Sequence, residues 1–272
     1  MYEEPYRWVE AVGNRRTYLD EQFKQGSPVV GLTYEGGLAL VTLSKGTPKL
    51  YEIYDRIALG GMGHPADLEK LRFTLLEMAH TEGFNRSPSD VTGARLVKYG
   101  VAPVVKQAFE EVYKAPFILK VLLAELGHKP SRDALLTINY DGTFEETTGC
   151  AVLAATPAVQ NEMTAYLRQN LSSSQSLGHA LGLALRAWAL GDRAQRRLDE
   201  DKESESGKDA AAQQDARDPA GLAAHLRDNL SEKSVECAVL DRQQTGSSKY
   251  RALTADEWQR LLPPEMNAAL AR

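Results

Sequence analysis

The chain has 272 residues, long enough for one large domain or two small ones, and is 43% apolar and 25% charged. A net charge of −5 argues against a nucleic-acid binder, which carries a basic excess. No apolar run approaches the roughly 20 residues a bilayer span needs. The acidic start Met1-Tyr2-Glu3-Glu4-Pro5 lacks a signal peptide's order, and two cysteines, Cys150 and Cys237, fit a reducing compartment, so a cytoplasmic protein without a membrane or nucleic-acid partner is expected.

In chain order, residues 5–25 read as an amphipathic helix with Trp8, Val9, Val12, Leu19 and Phe23 as its apolar members and Gly26 as its stop. Two β-like runs, Val29–Tyr34 and Leu38–Leu43, flank Glu35-Gly36-Gly37, which predicts a hairpin. A second pair, Lys49–Tyr54 and Arg56–Leu59, is expected to end at Gly60-Gly61-Met62-Gly63, where the backbone passes close to a helix. Pro65 opens a helix with Leu68, Leu71, Leu75 and Met78 on one face. A further long helix is predicted from about Asp90 to Tyr113, with a stripe of Val97, Val101, Val104/Val105, Ala108 and Val112 and a kink at Gly100 and Pro103.

Phe117–Leu126 is apolar almost throughout, as for a strand covered on both faces. Leu135–Tyr140 follows, with Asp141-Gly142 as a two-residue turn into Thr143–Glu145, then a short strand at Cys150–Ala155. Thr156-Pro157 supplies a cap and a first-turn proline for a helix that buries Val159, Met163, Tyr166 and Leu167. Ser174–Leu190 is the next helix, on Leu177, Leu181, Leu185 and Trp188. The window 192–218 is charged and free of aromatics; its start can extend the preceding helix, and its middle reads as a mobile insert. A short ordered piece at Leu222–Asn229, strands at Val235–Leu240 and Lys249–Leu253, and a helix at Ala255–Leu262 complete the chain. Antiparallel hairpins with helices in blocks predict α+β layers of sheet covered by helix, most economically in one domain spanning 1–272.

Chemistry-bearing patterns are sparse. His64, His80, His128, His179 and His225 show no metal-ligand spacing, Gly60–His64 lacks the ending of a phosphate loop, and there is no GxSxG elbow. The arginines of 193–197 read as a solvated helix face, and neither metal nor cofactor is expected. One constellation is more specific. Gly26-Ser27-Pro28-Val29-Val30-Gly31 opens the first hairpin, and Lys49 opens the next strand pair in Lys49-Leu50-Tyr51-Glu52-Ile53-Tyr54-Asp55-Arg56-Ile57.

Ser27–Leu40 with its Gly-Gly turn, Leu50–Ile57, Asp67–Arg72, Asp90-Val91-Thr92-Gly93, Lys120–Glu125, Tyr140-Asp141-Gly142 and Val235–Asp241 together resemble proteasome subunits of the N-terminal-nucleophile hydrolase superfamily, especially bacterial α subunits. The resemblance covers most of the chain outside 192–218. It implies a four-layer α-β-β-α sandwich and rings of about seven copies. In catalytic β-type relatives, a propeptide is removed to free a threonine at the head of the first strand, and a lysine lowers its pKa. Ser27 stands at that threonine's place and Lys49 at that lysine's.

Against catalysis, residues 5–25 read as an ordered helix of the kind α subunits use for ring contacts. Leu43 stands where the family's acidic residue is expected, Leu153-Ala154-Ala155-Thr156 replaces a Gly-Ser-Gly-like segment, and Pro28 stiffens the chain beside Ser27. The resemblance therefore implies a non-catalytic α-type subunit. Lys49, with Tyr51 and the glycines 60–63 shaping the pocket, would receive the C-terminal carboxylate of an activator or hexameric ATPase, and Met1–Glu4 would be a gate. Its partners would be identical copies and a β-type subunit. Two alternatives stay open: a peptidase autoprocessed before Ser27, with Ser27 and Lys49 catalytic, and a ring scaffold without a proteolytic partner.

Overall fold

In a computed structural model, which describes residues 5–111, 113–172, 174–203 and 218–271, two antiparallel sheets stack face to face between two layers of helices. Helix α1 (Pro5–Phe23) leads into the hairpin β1 (Val29–Tyr34) and β2 (Gly37–Ser44), then β3 (Leu50–Tyr54) and β4 (Ile57–Gly63). Helix α2 (Pro65–Asn85), the short α3 (Gly93–Arg95), a π turn at Leu96–Val101 and α4 (Ala102–Glu110) precede β5 (Leu119–Glu125), β6 (Ala134–Ile138), β7 (Phe144–Thr147) and β8 (Cys150–Leu153). Helices α5 (Pro157–Asn170), α6 (Leu177–Glu203) and α7 (Pro219–Leu230), strands β9 (Ser234–Asp241) and β10 (Tyr250–Leu253), and helices α8 (Ala255–Leu261) and α9 (Pro264–Ala271) follow. One sheet has the order β10-β9-β2-β1-β8, the other β3-β4-β5-β6-β7.

The expected α+β, four-layer α-β-β-α sandwich is thus what the chain forms, and strand alternation explains why. On β2, Leu38 and Leu40 point between the sheets, whereas Ala39, Val41 and Leu43 point at the α5–α6 layer. On β5, Leu122 and Ala124 point between the sheets and Val121 and Leu123 toward α2. A strand covered on both faces needs apolar residues at every position, hence the unbroken runs in the sequence.

Strand β4 pairs with β5 through the glycines and ends at the last of them, with Gly63 opposite Leu119. Close helix packing is their use: a Cβ on Gly61 would lie 2.3 Å from Leu68 Cδ1 of α2. Several local expectations change. The turn after β6 is longer than two residues: the Gly142 amide donates to the Asn139 carbonyl and the Asn139 amide to Thr143, with Gly142 at φ +80°. The helix foreseen from Asp90 to Tyr113 is broken. Pro103 lacks an N–H and its ring would press on the Tyr99 carbonyl, and the chain widens beforehand, the Ala102 amide reaching back to Val97. Within that stripe Val104 is exposed, and Val112 lies outside the described residues.

The first part of the charged 192–218 window is helix, because α6 runs on to Glu203 and keeps Ala194 and Gln195 buried. Residues 204–217, where the mobile insert was expected, lie outside the described residues. Thr156 caps α5 as expected, its Oγ1 accepting from the Val159 amide. Helix α9 has no counterpart in the sequence reading; it buries Met266 against α7.

Helix α1 docks through its later apolar residues only. Leu19 and Phe23 are fully buried in the inter-sheet core, while Trp8 and Val9 are 51% and 62% exposed. Polar ties reinforce the seat. Arg15 donates to the carbonyls of Ala108, Phe109 and Lys114, Arg16 pairs with Asp141 at 3.3 Å, and the Tyr140 hydroxyl donates to Asp20 at 2.9 Å.

Candidate functional site at the head of the first strand

The short link between α1 and β1 places Ser27 at the head of the first strand, 8% exposed. Its hydroxyl oxygen accepts a hydrogen bond from the Trp188 indole N–H at 2.9 Å, and Trp188 itself is fully buried on α6. Lys233 covers the indole, its ammonium 4.9 Å from the ring centroid, and reaches Asp192 Oδ1 at 3.3 Å. Asp192 also pairs with Arg196 and His225 at 2.9 and 2.8 Å. Burial would raise its pKa, but the His225 hydrogen bond and the Lys233 and Arg196 charges outweigh that and hold it below its ordinary value. The arginines of 193–197 are therefore not just a solvated face: Arg196 also donates to Asn229, and Arg193 keeps one buried nitrogen without a hydrogen-bond partner among the described residues. A cavity of about 200 Å³ opens here, lined by Gly26, Pro28, Gln195, Arg196 and Lys233 among others.

Lys49 lies half-buried just before β3, at the beginning of β9. Its backbone N–H donates to Glu236 Oε2 at 2.8 Å, and the Leu50 N–H reaches the same oxygen at 3.3 Å. Burial pushes the Lys49 ammonium down to about 8, the Glu236 charge opposes this, and Lys233 adds to it. Tyr51, two residues on, turns toward α2 instead. The Arg72 guanidinium lies 4.8 Å from its ring centroid, and its hydroxyl donates to the Pro48 carbonyl, so Tyr51 steadies the loop that delivers Lys49. Burial, then the hydrogen bond and charge of Glu69, raise its pKa. Ser27 is thus engaged by an indole, and Lys49 by the beginning of β9.

A second lysine escaped the sequence reading. Lys120 on β5 points between the sheets, 6% exposed, and donates to the carbonyls of Ala154 and Ala155, each at 2.9 Å. Its ammonium lies 4.8 Å from the Phe23 ring centroid, and that ring stacks on Tyr140 at 5.7 Å. Burial pushes it down to about 8, against Asp20 and Asp141. The Leu153–Thr156 segment therefore presents two carbonyls to a cation at its centre. A lone lysine within an apolar strand was the available signal.

Two stacked antiparallel sheets between helix layers, with a hydroxyl residue heading the first strand, define the N-terminal-nucleophile class of sandwich. The sequence model described as Proteasome subunit matches residues 23–193, more than half of the chain. The chain is 31% identical over 181 residues to "Proteasome subunit alpha" of Actinosynnema mirum, covering 65% of this chain and 66% of that protein. It is 30% identical over 174 residues to the same-named protein of Jonesia denitrificans (63% and 72%), and 28% over 231 residues to that of Kineococcus radiotolerans (84% of each). The chain belongs to the proteasome subunit family, and within it the similarity is to the α type. No helix among the described residues is long and apolar enough to cross a membrane.

Proposed function

We propose that the chain is a non-catalytic α-type subunit that builds the outer ring of a proteasome-like barrel, gates entry and receives an activator's C-terminal carboxylate at Lys49. The observation that carries this reading is the setting of Ser27. An N-terminal nucleophile needs a free α-amino group and an accessible hydroxyl. Here Ser27 is buried, its oxygen accepts from Trp188, and the preceding helix is anchored by Leu19 and Phe23 rather than arranged as a removable leader. The exposed Trp8 and Val9 give α1 an apolar face for a neighbouring copy. The proposed gate, Met1–Glu4, lies outside the described residues.

The partners in this reading are identical copies in a closed ring, a β-type subunit and a hexameric ATPase, in the cytoplasm. Native and denatured mass spectra test it together. A full-length chain in rings of about seven copies or a multiple is expected; a chain that begins at Ser27 makes the protein a self-processed peptidase. Reconstituted with its β-type partner, Lys49→Ala is expected to keep assembly and basal peptide hydrolysis while losing activator-stimulated degradation. Undiminished stimulation would remove Lys49 from the docking site.

A further inference from the structure

Glu236 connects the two sheets at the end where Lys49 lies. It belongs to β9 of one sheet, opposite Thr42 of β2, yet its Oε2 accepts the N–H groups of Lys49 and Leu50 at the start of β3 in the other sheet. Strand β3 is an edge, paired with β4 alone, so these donors lie where a sheet leaves them open. A single carboxylate oxygen thereby fixes the backbone from which the Lys49 side chain springs. The other oxygen, Oε1, is buried without a hydrogen-bond partner among the described residues.

The charged groups around Lys49 are Glu236 on β9 and Lys233 just before it. Lys233 is partly spent on Asp192, Lys45 and Glu232 pair with each other in exposed positions, and on the α2 side Glu69 pairs with Arg72. Glu236 is therefore the anion that offsets both the desolvation of Lys49 and the repulsion from Lys233. Without it, a half-buried ammonium that titrates at about 8 would lose its proton near neutrality.

We propose that Glu236 is the positioning residue of the carboxylate-docking site: its Oε2 holds the Lys49 backbone, and its charge favours the cationic form of the Lys49 side chain. The inference rests on the reading of Lys49 as the docking cation. It adds that docking of a peptide C-terminal carboxylate is controlled by pH through a residue that does not touch the peptide.

The test uses assembled full-length protein and Glu236→Gln, whose amide oxygen still accepts the two backbone N–H groups. Acetylation of Lys49 by a water-soluble acetylating reagent, followed by peptide mass spectrometry across pH, reads its proton directly. The half-labelling pH is expected to fall by about one unit in the variant. In parallel, a short activator-like peptide with a free C-terminal carboxylate is compared with its C-terminal amide. Wild type is expected to prefer the acid, and the variant to lose about fivefold of that preference at pH 8. Lys49→Arg in the Glu236→Gln background is expected to restore it, because a guanidinium keeps its charge. An unshifted labelling profile overturns the role of Glu236. A shifted profile with equal binding of acid and amide keeps Glu236's hold on the Lys49 proton and overturns the docking reading alone.

Discussion

Replacing Phe23 by alanine is expected to destabilise the protein by about 3–5 kcal/mol, the range for truncating a fully buried aromatic residue. Phe23 has no exposed surface and fills the inter-sheet core from the last turn of α1, with its ring stacked on Tyr140 and facing the Lys120 ammonium. Truncation opens a cavity and removes one ring from the surroundings of a buried cation. The anchor of α1 is then reduced to Leu19 and the polar ties of Arg15, Arg16 and Asp20, so ring assembly should weaken with stability. Phe23→Leu keeps most of the volume, loses the cation–ring contact and the stack on Tyr140, and should cost less than half as much. Urea denaturation of the two variants measures the difference. A loss under 1 kcal/mol in Phe23→Ala would show that α1 is not seated through this residue.

Lys120 should contribute a gain in stability as pH rises between about 8 and 10. The direction follows from linkage. An unfolded lysine titrates near about 10.4, whereas burial brings Lys120 down to about 8 in the folded chain. Between these values the unfolded chain binds more protons, so raising the pH favours the folded state. Below pH 8 both states carry the proton and the folded state bears the full cost of the buried charge. Above about 10.4 that cost is gone, a change on the order of 2–3 kcal/mol for a group this buried. Lys49 contributes in the same direction, less so because it is only half-buried. Burial pushes the Cys150 and Cys237 thiols up, so they oppose the trend from about 8.5, and the hydroxyls of Tyr34 and Tyr140, likewise raised, oppose it above about 10. Lys120→Met leaves the Ala154 and Ala155 carbonyls without their donor, yet removes the titrating group, so its stability should gain less from rising pH than the wild type's over the same window. Denaturation at pH 7.5, 8.5 and 9.5 distinguishes the two, and identical slopes in both proteins would exclude Lys120 as the source.

These two residues also show how far the sequence could be read. Phe23 was recognisable as a core member of α1, because its spacing from Leu19 puts both on one helical face. The same spacing drew in Trp8 and Val9, which lie exposed: periodicity identifies an apolar stripe but not where the covering surface ends. Lys120 was passed over inside an apolar strand. Alternation tells which face it shares with Leu122 and Ala124, but not that two carbonyls and an aromatic ring from distant segments wait there. The Trp188 partner of Ser27 and the Glu236 partner of Lys49 are separated from them by 161 and 187 positions, beyond the reach of local pattern.

By itself the sequence determined the strands, the first hairpin, the capped helices and the layered α+β class, because each depends on contacts within a few residues: alternation, 3.6-residue spacing, a proline at a helix start, a glycine at a turn. Its ordered motifs also pointed to the family. Only the tertiary structure decided what the residues at the head of β1 face. It buried the Ser27 hydroxyl against an indole, tied the Lys49 backbone to a carboxylate from the other sheet, and sealed a second lysine, Lys120, between the sheets. Such choices are made by which distant surfaces meet when the sheets close, and burial then sets the charge state that local sequence leaves open.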